Sequence, residues 1–169
     1  MSHKAFISYH HKDDMEVNKF IKEYGTSNVF INRIVGDEYG TAINSSNPEY
    51  TMRVIRENYL SDSSVTIVMI GSETYKRKYV DWEIASTIRN DSTNKRSGLV
   101  GIFLPGHNKF NTIIPKRLED NIKSGYAKLY EYPLSYFQLG QIIEEAFSNR
   151  LIKSSLIDNS RKLKDYNEL

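Results

Sequence analysis

A chain of 169 residues, 39% hydrophobic and 26% charged, has the composition of one soluble globular domain around a single core. No apolar run nears the roughly 20 residues that span a bilayer, no secretory leader is expected, and the absence of cysteine excludes disulfides and thiolate metal sites, all of which suits the cytoplasm. The formal charge of +2, from 23 basic and 21 acidic residues, gives no field for gripping nucleic acid or a membrane surface.

Ala5-Phe6-Ile7-Ser8-Tyr9 is short and β-prone. His10-His11-Lys12-Asp13-Asp14 follows as a polar loop, in which Asp13 or Asp14 can accept from the first free N–H groups of a helix. Val17, Phe20, Ile21 and Tyr24 recur at helical spacing, and Gly25 is placed to stop that helix in a left-handed conformation. Asn28-Val29-Phe30-Ile31 reads as a second strand. The polar stretch 32–47 contains Gly36-Asp37-Glu38-Tyr39-Gly40, and long loops in compact domains are often functional.

Pro48 suits the first turn of a helix whose apolar stripe is Met52, Ile55 and Tyr59. Val65-Thr66-Ile67-Val68-Met69-Ile70 lacks alternation, as a strand covered on both faces does. Gly71-Ser72-Glu73-Thr74-Tyr75 leads into a third helix, with Val80, Ile84, Thr87 and Ile88 along one side. Leu99-Val100-Gly101-Ile102-Phe103-Leu104 is a fourth strand closed by Pro105-Gly106, and a short helix is placed after Pro115. Ala127-Lys128-Leu129-Tyr130 reads as a fifth, edge-type strand, and Leu139, Ile142, Ile143, Ala146 and Phe147 mark a last helix from near Ser135. Residues 1–150 thus read as one domain, followed by a charged tail, 151–169, that is helical or loosely docked.

Strands alternating with helices imply an α/β domain with a doubly wound parallel sheet, whose ligands sit beyond the carboxyl ends of the strands. Ser8-Tyr9-His10, the start of the 32–47 loop, residues 71–79 and Pro105-Gly106 all fall at such ends. Fold alone does not choose the chemistry. A P-loop and the Gly-x-Gly-x-x-Gly dinucleotide fingerprint are both missing. A phosphoryl-accepting receiver would need an aspartate closing the third strand, where this chain has Ile70-Gly71-Ser72. With four histidines and no His-x-x-x-His pair, His10-His11 do not make a metal site.

Tyr79 and Glu83 are four residues apart and share a helix face near the sheet's rim. An aromatic ring beside one carboxylate is what N-glycosidic cleavage with a cationic leaving group calls for. No acid need protonate the departing ring, and a single carboxylate near the ribose hydroxyls can stabilise an oxocarbenium-like sugar. The same glutamate is also what a helix dipole favours in its first turns, with Tyr79 and Trp82 as ordinary packing residues. Lys76-Arg77-Lys78 can hold a diphosphate or simply be solvated.

Lys4-Ala5-Phe6-Ile7-Ser8-Tyr9, the 64–75 stretch and Arg77-Lys78-Tyr79-Val80-Asp81-Trp82-Glu83-Ile84 together resemble TIR domains, most closely the TIR-like proteins of the bacterial Thoeris antiphage system. The resemblance spans residues 4–105 and implies a flavodoxin-like, five-stranded sheet. It places Glu83 on the catalytic glutamate that engages the ribose of NAD, which is then substrate rather than cofactor. It places Phe6, Ser8 and Tyr9, with His10 beyond them, on the strand whose end lines the pocket. Tyr79 falls where many members carry tryptophan. Asn32 and Asp37 fall in a loop that covers substrate and joins neighbouring copies.

The implied activity is release of nicotinamide and formation of a cyclic ADP-ribose isomer that activates a separate effector protein. Two other readings stand beside it. One is a non-enzymatic TIR module signalling by self-association, which has no need of Glu83. The other is a nucleoside glycosyl-transferring enzyme using a lone glutamate in a similar fold.

Overall fold

In the computed structural model, which describes residues 3–25, 30–34, 47–89, 95–133 and 135–169, the unalternating run 65–70 forms strand β3 (Val65–Ile70), buried along its whole length. Burial on both faces is what its composition requires. Strand β1 (His3–Ser8) pairs with it in parallel, setting Ile7 against Ile67 and Ser8 against Val68. Strand β4 (Gly98–Phe103) pairs on the other side, with Val65 against Gly98. Strand β2 (Phe30–Ile34) lies outside β1 and strand β5 (Lys128–Tyr130) outside β4, giving the parallel order β2-β1-β3-β4-β5. In that order the chain leaves β1 for one edge and returns to β3, so the loops after β1 and β3 diverge and open a crevice between them.

Helices cover both faces. Helix α1 (Asp14–Tyr24) and helix α5 (Tyr136–Ile152) pack on Ala5, Ile7, Ile67 and Ile102 through Val17, Phe20, Leu139 and Ile142. On the other face lie helix α2 (Pro48–Val54), helix α3 (Lys78–Ile88) and helix α4 (Lys116–Lys123). There Val68, Ile70 and Phe103 meet Val80, Ile84 and Leu118. Phe6 meets Met52, Ile55, Trp82 and Ala85. Every residue of α3 from Val80 to Ile88 is buried, where periodicity had pointed to one apolar side. The helix is enclosed because the sheet, α4 and the C-terminal segment all press on it.

Several expectations shift on meeting the structure. Gly25 closes α1 with φ −71°, in right-handed geometry, its N–H reaching the Ile21 carbonyl at 2.6 Å. Among the described residues the second strand covers Phe30–Ile34 and so continues past Ile31, paired with β1; residues 28 and 29 of the expected strand lie outside the described residues. Helix α2 continues into a wide π turn, Ile55–Leu60. Helix α5, capped by Ser135 Oγ on the Gln138 N–H at 3.1 Å, runs past residue 150 to Ile152.

After one short turn, Ser154–Leu156, the chain is not helical, and it is bound closely by side chains of the domain. Asn121 holds Asp158 through both main-chain groups, at 2.8 and 2.9 Å. Arg161 makes a forked pair with Asp120 at 2.7 and 2.8 Å. Specific pairing therefore replaces the loose docking that high charge suggested.

Candidate active site

Alternation along β1 sends Phe6 and Ser8 to the α3 face and Ile7 and Tyr9 to the α1 face. Ser8 is the last residue of its strand, and its hydroxyl donates to Glu83 Oε1 at 2.7 Å. Glu83 is only 2% exposed, so its carboxylate is enclosed by the protein rather than in bulk solvent. A buried carboxylate needs compensation. Here Ser8 supplies a donor, and Arg77 supplies a cation close enough for Glu83 to act on it. Burial lowers the affinity of the Arg77 guanidinium for its proton, while Glu83 and then Tyr79 raise it.

Arg77 precedes α3 and lies 5.3 Å over the Tyr79 ring. Lys78 lies 5.2 Å over the same ring and 5.5 Å over Trp82, which Tyr79 meets edge-on at 5.8 Å. The first turn of α3 thus presents an aromatic pair with cations on it, one turn from the Glu83 carboxylate. The basic run 76–78 is engaged in this cluster and, through Lys76, in a 3.2 Å pair with Glu73.

The rim beside it joins the ends of β1 and β3. His10 accepts the Lys12 N–H at Nδ1, 3.0 Å away, which leaves the proton of the neutral ring on Nε2. Burial first, then His11 and Arg77, push His10 below its ordinary value and favour that neutral form. Lys12 reaches Glu73 at 2.7 Å, and hydrogen bonds from Lys12 and Lys76 bring the Glu73 carboxyl down to about 2. Asp13 fits against Gly71, where a Cβ would sit 2.3 Å from Oδ2. Burial, then Glu16, raises the Asp13 carboxyl.

Of the residues read from sequence, Ser8 touches Glu83 directly, while Tyr79 and His10 are linked to it through Arg77, which acts on all three. Phe6 forms the apolar floor of the rim under Trp82. Tyr9 is not brought to Glu83: it is buried on the opposite face, with its hydroxyl donating to Asp14 at 2.8 Å. Asn32 stands on β2 opposite Ala5, and Asp37 lies outside the described residues. Among the described residues, no group of three or more His, Asp or Glu could hold a metal ion.

Sequence reasoning missed the support behind α3. Asp81, on that helix, forms a buried pair with Arg117 of α4, at 2.9 and 3.3 Å. Arg117 also reaches Asn159 Oδ1 and the Lys162 carbonyl at 2.9 and 3.2 Å. Asp81 accepts the Lys164 N–H at 2.9 Å, and the Trp82 indole donates to the Lys164 carbonyl at 2.8 Å. Asn167 then accepts the otherwise unpaired Lys78 N–H at the head of α3, at 2.8 Å. No local pattern announces these contacts, because their partners are 36 to 89 positions apart.

The family model for the Thoeris protein ThsB, TIR-like domain, matches residues 6–109. The chain belongs to this family. The span of the ThsB TIR-like domain takes in β1, β3, α3 and β4, and with them Ser8, Tyr79 and Glu83. Helix α4, β5, α5 and the segment that clamps α3 lie beyond it. None of the curated proteins compared with the chain matches it. No helix among the described residues is long and apolar enough to cross a membrane.

Proposed function

We propose that this ThsB TIR-like domain cleaves the nicotinamide–ribose bond of NAD and turns the ADP-ribosyl group into a cyclic ADP-ribose signal for antiphage defence. The observation that carries this reading is the Ser8–Glu83 pair, a buried carboxylate fixed at 2.7 Å beneath the carboxyl ends of β1 and β3. In NAD the nicotinamide nitrogen is cationic, so the bonding electron pair leaves with the ring and no acid has to protonate it. Positive charge then builds on the ribose ring oxygen and anomeric carbon, where a fixed carboxylate stabilises it in a water-poor site.

Glu83 takes that role and engages the ribose hydroxyls, while Ser8 fixes which way its oxygens face. Tyr79, held by Trp82 and flanked by Arg77 and Lys78, shapes the place of the nicotinamide. His10 extends the rim for substrate contact, and Phe6 supports it from below. Attack on the anomeric carbon by a ribose hydroxyl or an adenine nitrogen of the same molecule closes the ring; where a hydroxyl attacks, its proton passes to the Glu83 carboxylate. Excluding water during that step is what separates cyclisation from hydrolysis. NAD is the substrate and no resident cofactor is required. The product acts on a separate effector in the cytoplasm, and association between copies assists turnover.

Incubating the purified chain with NAD and following nicotinamide release tests the reading, with mass spectrometry of the second product to separate cyclic from linear ADP-ribose. Loss of release in Glu83→Ala is the expected result. Equal turnover by wild type and Glu83→Ala would remove the mechanism. Intact NAD even in enforced assemblies, with a partner captured instead, would favour the non-enzymatic module.

A further inference from the structure

The opposite ends of the strands hold a second concave site that the Glu83 chemistry does not use. Ser63 and Ser64 lead into β3, Ser97 leads into β4, and Arg150 projects from the last turns of α5. These residues line a cavity of about 360 Å³, within the range of small-molecule sites. Its walls carry four cations, Arg56, Lys95, Arg96 and Arg150, against one carboxylate, Asp62. That carboxylate already faces Lys4 at 3.4 Å. The cavity is therefore strongly positive in a protein whose whole formal charge is only +2.

Two further observations point to a ligand. Arg150 Nε and Ser63 Oγ are buried and make no hydrogen bond with any described residue. A buried donor left in this state is unfavourable. One bound anion accepting from both would remove that penalty. The Arg150 guanidinium is also held in place, 4.0 Å over the Phe147 ring, which His3 stacks from 4.0 Å. Stacking fixes the plane of the guanidinium and leaves its edge for an acceptor. Arg56 is 7% exposed and stands on the π turn 55–60, a wide turn of the kind that often re-aims a side chain at a functional site.

The Arg150 guanidinium and the Ser63 hydroxyl, with Arg96 on the same wall, suit a tetrahedral oxyanion, which accepts in several directions. Four cations call for a ligand with more than one negative charge. We propose that this pocket, at the amino ends of β3 and β4, binds a small phosphate-bearing anion.

The test titrates the full chain with inorganic pyrophosphate and, separately, with ADP by calorimetry, at low and at physiological salt. Saturable one-site binding that weakens with salt is expected for at least one probe. Tighter ADP binding assigns the pocket to a nucleotide, and tighter pyrophosphate binding to the inorganic anion. Arg150→Gln and Ser63→Ala should each weaken binding about tenfold, as loss of a bond to a charged group does. Thermal melting without ligand checks that each variant is folded, and Ser63→Ala removes only a hydroxyl that has no partner. Absence of saturable binding to either probe by the wild type, or binding by both pocket variants as tight as the wild type's, would overturn the proposal.

Discussion

Ser8 at the end of β1 and Glu83 in the second turn of α3 stand 75 positions apart in sequence and 2.7 Å apart in space. The bond has two jobs. It pairs a carboxylate that burial would otherwise penalise, and it fixes where the oxygens point. A hydrogen bond to a charged group contributes about 1.5–3 kcal/mol, so Ser8→Ala should lower unfolding stability by that order. Nicotinamide release should fall at least about tenfold with it, because a freed carboxylate loses its orientation. Ser8→Thr, which keeps the hydroxyl on a strand residue, should recover most of both. Urea unfolding and nicotinamide release check the pair, and an unchanged Ser8→Ala would show that the contact matters to neither.

The close approach of Asp13 and Gly71 allows a cleaner packing test. A Cβ at residue 71 would lie 2.3 Å from Asp13 Oδ2 and 2.7 Å from its carboxyl carbon. Gly71→Ala must displace the Asp13 carboxylate from its place against β3, and overpacking of this kind costs about 1–3 kcal/mol. Asp13→Gly makes the room, so the double variant should be more stable than Gly71→Ala alone. Equal melting temperatures for the single and double variants would mean that something other than this contact sets the cost.

His10 gives the rim a pH dependence. Burial, His11 and Arg77 hold its folded-state value below 6.5, the value it has in the unfolded chain. As pH falls through that interval, the unfolded state binds the proton first, so stability declines, and the loss levels off once the folded ring is also protonated. Protonation also removes the Nδ1 acceptor that holds the Lys12 N–H. His10→Asn keeps an acceptor but does not titrate. Its unfolding midpoint should therefore fall less than the wild type's as pH drops below about 6.5. Parallel pH profiles for the two proteins would place the dependence elsewhere.

The parts of the fold that were legible in the sequence are those with short-range causes. The run 65–70 coincides with β3 because a strand buried on both faces needs unbroken apolar character. Ser135 marks the start of α5 because a serine oxygen satisfies an orphan N–H. Of the site, Glu83 and Ser8 were legible through the motifs around them, while the bond joining them follows from strand register. Tyr9 was misleading because alternation along β1 turns it to the other face, a half-turn that motif matching does not see. The Asp81–Arg117 pair was invisible: an aspartate and an arginine on two exposed-looking helices give no sign that a third segment will bury them.

That buried pair supplies the last prediction. Arg117 is 1% exposed and Asp81 4%, and their remaining polar atoms are met by Asn159, the Lys162 carbonyl and the Lys164 N–H. Removing one partner of such a pair leaves the other charge buried, at a cost of about 3–5 kcal/mol, whereas replacing both with apolar residues is often neutral. Arg117→Ala should thus be severely destabilising, and Arg117→Met with Asp81→Leu much less so. Deleting residues 158–169 should act on the same network from its other side, since it removes the acceptor of the Trp82 indole and the cap on Lys78. Trp82 is the chain's one tryptophan, so its emission reports this directly. A red shift should follow the deletion and accompany a drop in nicotinamide release, because the freed helix is the one that carries Glu83. Emission and turnover both matching the full chain would show that α3 holds its place without the C-terminal clamp.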